Sequence, residues 1–396
     1  MKLVEAEFPR WQQHAEEHGR RGFASLDKAM SLRFLALLVK MGLTGLRRRE
    51  MYCHDPTVST AMSLRTFENL LYTIRDAGFQ AYEEGHPLLD GREAAADDPL
   101  KLVRRFMDEL PAHLQEVYVP GSLLVADETM VGWKGATNMH ITTLSNKPTS
   151  KGVCLKTLVD GHTRVMMALE FVECKEQQGF KRYAEEGRIA AVCLRLTELS
   201  HGPTPRILLA DAWFGGLPLA VGLMHRGLFS ITNVKTHTKH FCKKEFWVDA
   251  RCGRAKHQCH DHAYRQLVLK VNGMDTTFTG AFHMDRAPMT LLGTAGSSQE
   301  APPVMRRRVF MSDEGDMVRW TGKLQQPNIH YIYRSHFNAV DVHSKLAVGP
   351  RSVNNVGANH LMLKLWLSMV VIAETNAYLT YVNAKKQTSI LTLISR

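Results

Sequence analysis

The sequence predicts an α/β protein with a helical N-terminal region, and three observations carry that prediction. Two short apolar runs, Leu123 to Ala126 and Ile207 to Ala210, each lead directly into an aspartate, Asp127 and Asp211. Strand-like and helix-like segments alternate between residues 121 and 220, as expected when helices cover both faces of a sheet. The first 120 residues instead space their apolar side chains at helical intervals.

Taken in order, residues 24–46 read as a helix with Ser25 as its N-cap and Gly42 near its end. Residues 58–80 repeat the pattern, with Phe67, Leu70, Leu71 and Ile74 on one face. The polar, acidic stretch 83–100 reads as a loop leading into the helix "KLVRRFMDELPAHLQEVY". From 121 to 172 the segments "SLLVADE", "GVCLKTLVD" and "RVMMALEFV" are short and apolar, as strands are. A helix over 190–199, the strand "RILLA" and a helix start in "FGGLPLAVGLMHRG" follow. Residues 228–325 return to strand-like segments ("LFSITNV", "YRQLVLKV", "PMTLLGTAG", "RRVFM") separated by basic turns, and the chain reads as helical again from about Asn338.

Composition bounds the class of protein. A chain of 396 residues can hold two or three domains and a substantial core. With 44% hydrophobic and 22% charged residues, wholesale disorder is excluded. Lys and Arg number 50 against 39 Asp and Glu, a net charge of +11 that favours an anionic partner, nucleic acid ahead of a membrane surface. Seven cysteines without a disulfide pattern point to a reducing compartment. The N-terminus lacks the apolar segment of a secretory signal. The apolar stretch 361–382 contains Lys364, Glu374 and Asn376, so it reads as a buried helix rather than a bilayer span, and no membrane partner is expected.

The two aspartates carry the chemistry. A continuous apolar run fits a strand covered on both faces, and ligands of open α/β sheets collect beyond the carboxyl ends of such strands. Were the two strands neighbours, their carboxylates would face each other, and bare carboxylates that close need a shared proton or a cation. Mg²⁺ prefers such oxygen ligands, and two ions about 3.5–4 Å apart can clamp the attacking and leaving oxygens of a phosphoryl transfer. Asp341, in "YRSHFNAVDVHSKLAVGP", is the best candidate for a third acid.

At this point the sequence resembles the piggyBac family of DNA transposases and their transposable-element-derived relatives, over most of its length. The similarity runs through "LRFLALLVKMGLTGLRRREMYCHDPTVSTAMSLRTFENLLYTIRDAGF", "DDPLKLVRRFMDELPAHLQEVYVPGSLLVADETMVGWKG" and "SNKPTSKGVCLKTLVD". It continues through "LLADAWFGGLPLAVGLMHRG", "GAFHMDRAPMTLLGTAG", "YRSHFNAVDVHSKLAVG" and "MVVIAETNAYLTYV". The resemblance implies an RNase H-like catalytic core split by a β-rich insertion, with a helical N-terminal domain. It divides the chain into a helical dimerisation and DNA-binding region (1–120), a first core part (121–220), a basic insertion (221–330) and a C-terminal helical core part (331–396). It implies that Asp127, Asp211 and Asp341 bind Mg²⁺ or Mn²⁺, nick double-stranded DNA at each element end, and let the freed 3′-hydroxyl attack the opposite strand. The resulting hairpin is opened and joined into TTAA sites, by a homodimer on DNA, in the nucleus.

The chain departs from the family's pattern in places. Asn338, Ala339 and Ser344 stand where members usually have Gly-Gly before the third aspartate and another Asp after it, and Ala212 stands where Asn is usual. No CxxC pair occurs, so the zinc finger with which many members recognise transposon ends is not expected. These departures keep open the alternative of a transposase-derived DNA-binding protein without catalysis.

Other residues invite functional readings beside plainer ones. Lys235, Lys239, Lys243 and Lys244 lie among Phe241, Phe246 and Trp247, a mixture suited to phosphates and exposed bases, or to a solvated β-edge. Arg306, Arg307 and Arg308 carry the same two readings, and Lys134 could touch a phosphate just after the first acidic motif. The cysteines and histidines of 242–262 miss the tight ligand spacing of structural zinc sites, so zinc is not expected as a cofactor. His14, Glu17 and His18 match the H-x-x-E-H zinc-protease pattern but lack an adjoining β core, and read as a chance match to it.

Overall fold

The computed structural model describes residues 2–20, 26–81, 100, 102–137, 140–145, 147, 149–179, 181–200, 204–235, 262–271, 273–284, 288–311, 315–348 and 360–394. Its strands are β1 (Leu123–Gly132), β2 (Thr142–Thr143), β3 (Lys151–Asp160), β4 (Met166–Phe171), β5 (Ile207–Ala210), β6 (Phe229–Asn233), β7 (His262–Val271), β8 (Met274–Met284), β9 (Pro288–Gly293), β10 (Val304–Met311) and β11 (Met317–Leu324).

The first nine strands form one mixed sheet in the order β2-β3-β1-β5-β6-β9-β8-β7, with β4 pairing β3 on the side that β2 also uses. β3 lies antiparallel to both β1 and β4, while β1, β5 and β6 run parallel. Alternation along the strands sorts their apolar residues between two cores. Val125, Leu209 and Ile231 face the helices Arg104–Val117, Asn328–His336 and Leu361–Ile394. Leu124, Ala126, Leu208 and Ala210 face the helices Arg188–Thr197 and Leu217–Met224. Burial on both faces is why these runs lack polar residues.

Two features of the sheet stand beside the sequence expectations. β6 fell within the proposed insertion, yet it pairs in parallel with β5 and continues the sheet; the boundary at 221 also falls inside the helix Leu217–Met224. β8 and β11 were not anticipated, because "MDTTFTGAFHM" and "MVRWTGKL" mix polar and apolar residues without clean alternation. β7, β8 and β9 extend the sheet beyond β6, whereas β10 and β11 form a separate antiparallel ribbon.

The described N-terminal elements are helical. The helix Lys28–Thr44 starts at Asp27, whose carboxylate accepts the Met30 N–H at 2.7 Å, so the cap is not Ser25, which lies outside the described residues. It ends at Gly45, where φ is +67°, while Gly42 stays buried inside the helix. The helix expected over 58–80 is two, Pro56–Ala61 and Leu64–Ala77, because Ser63 breaks the run and caps the Thr66 N–H at 3.1 Å. Phe67, Leu70, Leu71 and Ile74 are buried as expected, each burial contributing roughly 1.5–3 kcal/mol. Their core includes Trp11, Phe34 and the side chains Trp366 and Leu367 of the long terminal helix. The loop predicted over 83–100 lies outside the described residues except Leu100.

That terminal helix joins the two halves of the molecule. Its Leu365 and Met369 pack under the sheet while Trp366 and Val371 pack on the N-terminal helices, which explains its apolar length. Asn376, buried within it, accepts the Met166 N–H at 2.8 Å and donates to the Met166 carbonyl at 2.9 Å, tying the helix to β4. Among the described residues no single helix is long and apolar enough to cross a membrane.

Candidate functional site

The site is built where β1 and β5 part. Their parallel pairing runs from Leu123 opposite Ile207 to Ala126 opposite Ala210, which sets Asp127 and Asp211 at adjacent positions just beyond it. Asp211 ends its strand, as expected. Asp127 does not: β1 continues to Gly132 because β3 keeps pairing with it through Gly152. The carboxylate therefore sits on a strand anchored along one edge and open on the other.

Below Asp211 the chain turns tightly. The Asp211 side chain accepts the Trp213 N–H at 2.8 Å, and its carbonyl accepts the Gly215 N–H at 3.0 Å. A Cβ on Gly215 would lie 1.7 Å from the Asn233 carbonyl oxygen, so the glycine lets this turn pass the end of β6. The third acid arrives from the helix Ala339–Ala347, with Asp341 in its first turn. Buried Ala339 and Val340 seat that helix, and Ser344 Oγ lies 3.2 Å from Thr129 Oγ1 on β1. Asp127, Asp211 and Asp341 together line one cleft of about 880 Å³.

Three further charged groups, none anticipated from the sequence, complete the centre. Glu128, next to Asp127, brings its carboxylate within 4.8 Å of those of Asp127 and Asp211. Lys156, opposite Glu128 on β3, is buried; its Nζ lies 2.6 Å from Glu128 Oε1 and 3.2 Å from the centroid of the Trp213 ring. Lys147 bridges two acids, with Nζ 3.3 Å from Asp127 Oδ2 and 3.1 Å from Asp341 Oδ1. Glu128 was adjacent to a predicted acid and Lys147 lay in "SNKPTSKG", but only strand register and tertiary packing bring them to the cleft.

Electrostatics follow from this crowding. Burial, reinforced by the hydrogen bond with Glu128, pushes the Asp127 carboxyl up to about 8. Glu128 is held below its ordinary value: although burial opposes this, the hydrogen bond with Asp127 and the Lys156 ammonium outweigh it. Burial and the neighbouring Glu128 charge raise Asp211. Burial thus favours the protonated form of Asp127, while Glu128, paired with Lys156, favours its charged form. The clustered carboxylates of Asp127, Glu128 and Asp211 fit a hard divalent cation; Asp341 stands outside that cluster, on the same cleft, linked to Asp127 through Lys147.

The predicted DNA-contacting residues divide. Lys235 is exposed and lines the cleft; Lys134 is exposed but outside its lining. Arg306, Arg307 and Arg308 sit on β10 of the separate ribbon, where Arg307 is exposed. Lys239, Lys243 and Lys244, with the cysteines and histidines beside them up to His260, lie outside the described residues, while His262 opens β7.

The chain belongs to the Transposase IS4 family, whose model matches residues 15–378. Membership implies dependence on a divalent metal cation, which the acidic donor set suits. Among solved structures, the fold is similar to that in the cryo-EM structure of a piggyBac transposase synaptic complex with hairpin DNA. The TM-score is 0.68 at 15% identity, covering 98% of this chain and 74% of the other. Among curated proteins, none matches by sequence.

Proposed function

We propose that the protein is a piggyBac-like DNA transposase in which Asp127, Asp211 and Asp341 hold two Mg²⁺ (or Mn²⁺) ions for strand cleavage and transfer at TTAA-type sites. One observation carries the reading: acids from β1, the end of β5 and the helix Ala339–Ala347 line a single cleft. The sheet supports it, because the order β4-β3-β1-β5-β6, antiparallel in its first half and parallel in its second, fits an RNase H-like core. Bound divalent cations supply Lewis-acid charge that activates a water or 3′-hydroxyl and stabilises the leaving oxygen.

The chain's own residues do the rest. The Trp213 N–H holds the Asp211 carboxylate in place, and Ser344 keeps the Asp341 helix against β1. Exposed Lys235 and Lys345 at the cleft suit the backbone of double-stranded DNA, and half-buried Trp213 offers a ring on which a base displaced near the cut can stack. The solved relative in its synaptic complex with hairpin DNA supports DNA as the partner and hairpin chemistry; assembly as a homodimer on DNA and work in the nucleus complete the proposal.

The test is strand nicking, hairpin formation and joining on DNA carrying the element's ends beside TTAA. We expect metal-dependent products from the wild type and none from Asp211→Asn. Equal inertness of both proteins, with DNA binding retained, would instead identify a transposase-derived DNA-binding protein.

A further inference from the structure

A second group of metal-ligating side chains lies outside the acidic cleft, at the C-terminal end of the helix Phe8–Glu17. His14 and His18 are one helical turn apart, and Glu17 falls on the same face. Ligand atoms of the three lie within 4.8 Å of one another, and the two imidazole rings are stacked with centroids 4.0 Å apart. Imidazoles at positions i and i+4 of a helix can chelate one ion.

The hydrogen bonding around the rings fits that use. His18 Nδ1 lies 2.9 Å from the His14 carbonyl. Donation there fixes the proton on Nδ1 and leaves the Nε2 lone pair free, the backbone partner that ligating histidines ordinarily have. His14 Nε2 is buried and has no hydrogen-bond partner. The helix is well anchored: Trp11 Nε1 donates to the Gly78 carbonyl at 2.6 Å, and Arg20 pairs with Asp76. A cation at this helix end also meets the negative end of the macrodipole.

We propose that His14, Glu17 and His18 form a second metal site, which takes a borderline cation such as Zn²⁺ rather than Mg²⁺. Two imidazoles and one carboxylate match zinc's preference, and Mg²⁺ favours oxygen donors alone. Glu17 and His18 are exposed, so the remaining positions are open to water. The site is a clip on the N-terminal helical core.

The experiment is a Zn²⁺ titration of the full chain carrying Asp127→Asn and Asp211→Asn, which removes the competing acidic centre. It is compared with the same protein carrying His18→Ala in addition. His18 is exposed, so its replacement leaves the fold intact. The expected result is one zinc equivalent lost, or bound at least about 10-fold more weakly, in the His18→Ala protein. Zinc should also raise the melting temperature of the parent more than that of His18→Ala, and Glu17→Gln should weaken binding. Any contribution from the cysteine and histidine segment 242–262 is common to both proteins and cancels. Equal zinc stoichiometry and affinity in the two would overturn the proposal.

Discussion

Replacing Lys147 with methionine keeps the unbranched apolar stem and removes the ammonium that bridges Asp127 and Asp341. At an effective dielectric constant near 20, unit charges separated by such distances attract by about 5 kcal/mol before desolvation. The Asp341 side chain is 45% exposed, so solvent screens its pair strongly. Desolvation further offsets the pair with Asp127, leaving a net contribution of about 1–2 kcal/mol for the bridge. A divalent cation entering the centre must displace this ammonium and then tolerate its charge nearby. Lys147→Met therefore strengthens metal binding by about 10-fold, since 1.4 kcal/mol corresponds to a factor of ten. Proton competition works in the opposite direction, because losing Lys147 raises the Asp127 carboxyl, already up at about 8, still further. The comparison accordingly belongs at pH 9 and above, where that competition fades. Free Mn²⁺ measured by electron paramagnetic resonance during titration reads the affinity directly. Equal or weaker Mn²⁺ binding by Lys147→Met at that pH would refute the idea that the lysine occupies a cation's place.

Three other outcomes follow from the same structure. With the Asp127 carboxyl up at about 8, wild-type Mn²⁺ affinity should rise by up to about tenfold per pH unit from pH 7 to 8 and level off above, because binding must expel the proton; a flat profile would count against the raised Asp127 carboxyl. Asn376→Leu removes both hydrogen bonds to the Met166 backbone, and urea denaturation should report a loss of about 2–4 kcal/mol. Gly215→Ala forces a methyl group into the Asn233 carbonyl, so a loss of about 3 kcal/mol or more, seen as a lowered melting temperature, is expected.

The first two acids were legible because burial on both sheet faces writes itself as an unbroken apolar run, and a carboxylate after such a run needs a reason. Asp341 was legible less directly: it lies on a helix after a long intervening segment, and sequence order together with the family resemblance nominated it. The cationic half of the site was not readable. Lys156 meets Glu128 only through the β1–β3 register, and Lys147 reaches Asp127 and Asp341 only through tertiary packing. Strand ends and helix caps slipped for local reasons. β1 outran Asp127 because its second neighbour continues, and Asp27 caps a helix that periodicity alone began earlier. β8 escaped notice because Thr276, Thr277, Thr279 and Gly280 blur its alternation.

The account stands or falls on whether acids from three separate elements bind one set of cations. Mn²⁺ binding by the purified protein, alone and with Asp127→Asn, Asp211→Asn or Asp341→Asn, tests this without any knowledge of the DNA sequence. Each substitution should weaken binding by about tenfold or more, including Asp341→Asn, whose helix is remote in sequence from the other two. Undiminished Mn²⁺ binding by Asp341→Asn would contradict a shared centre.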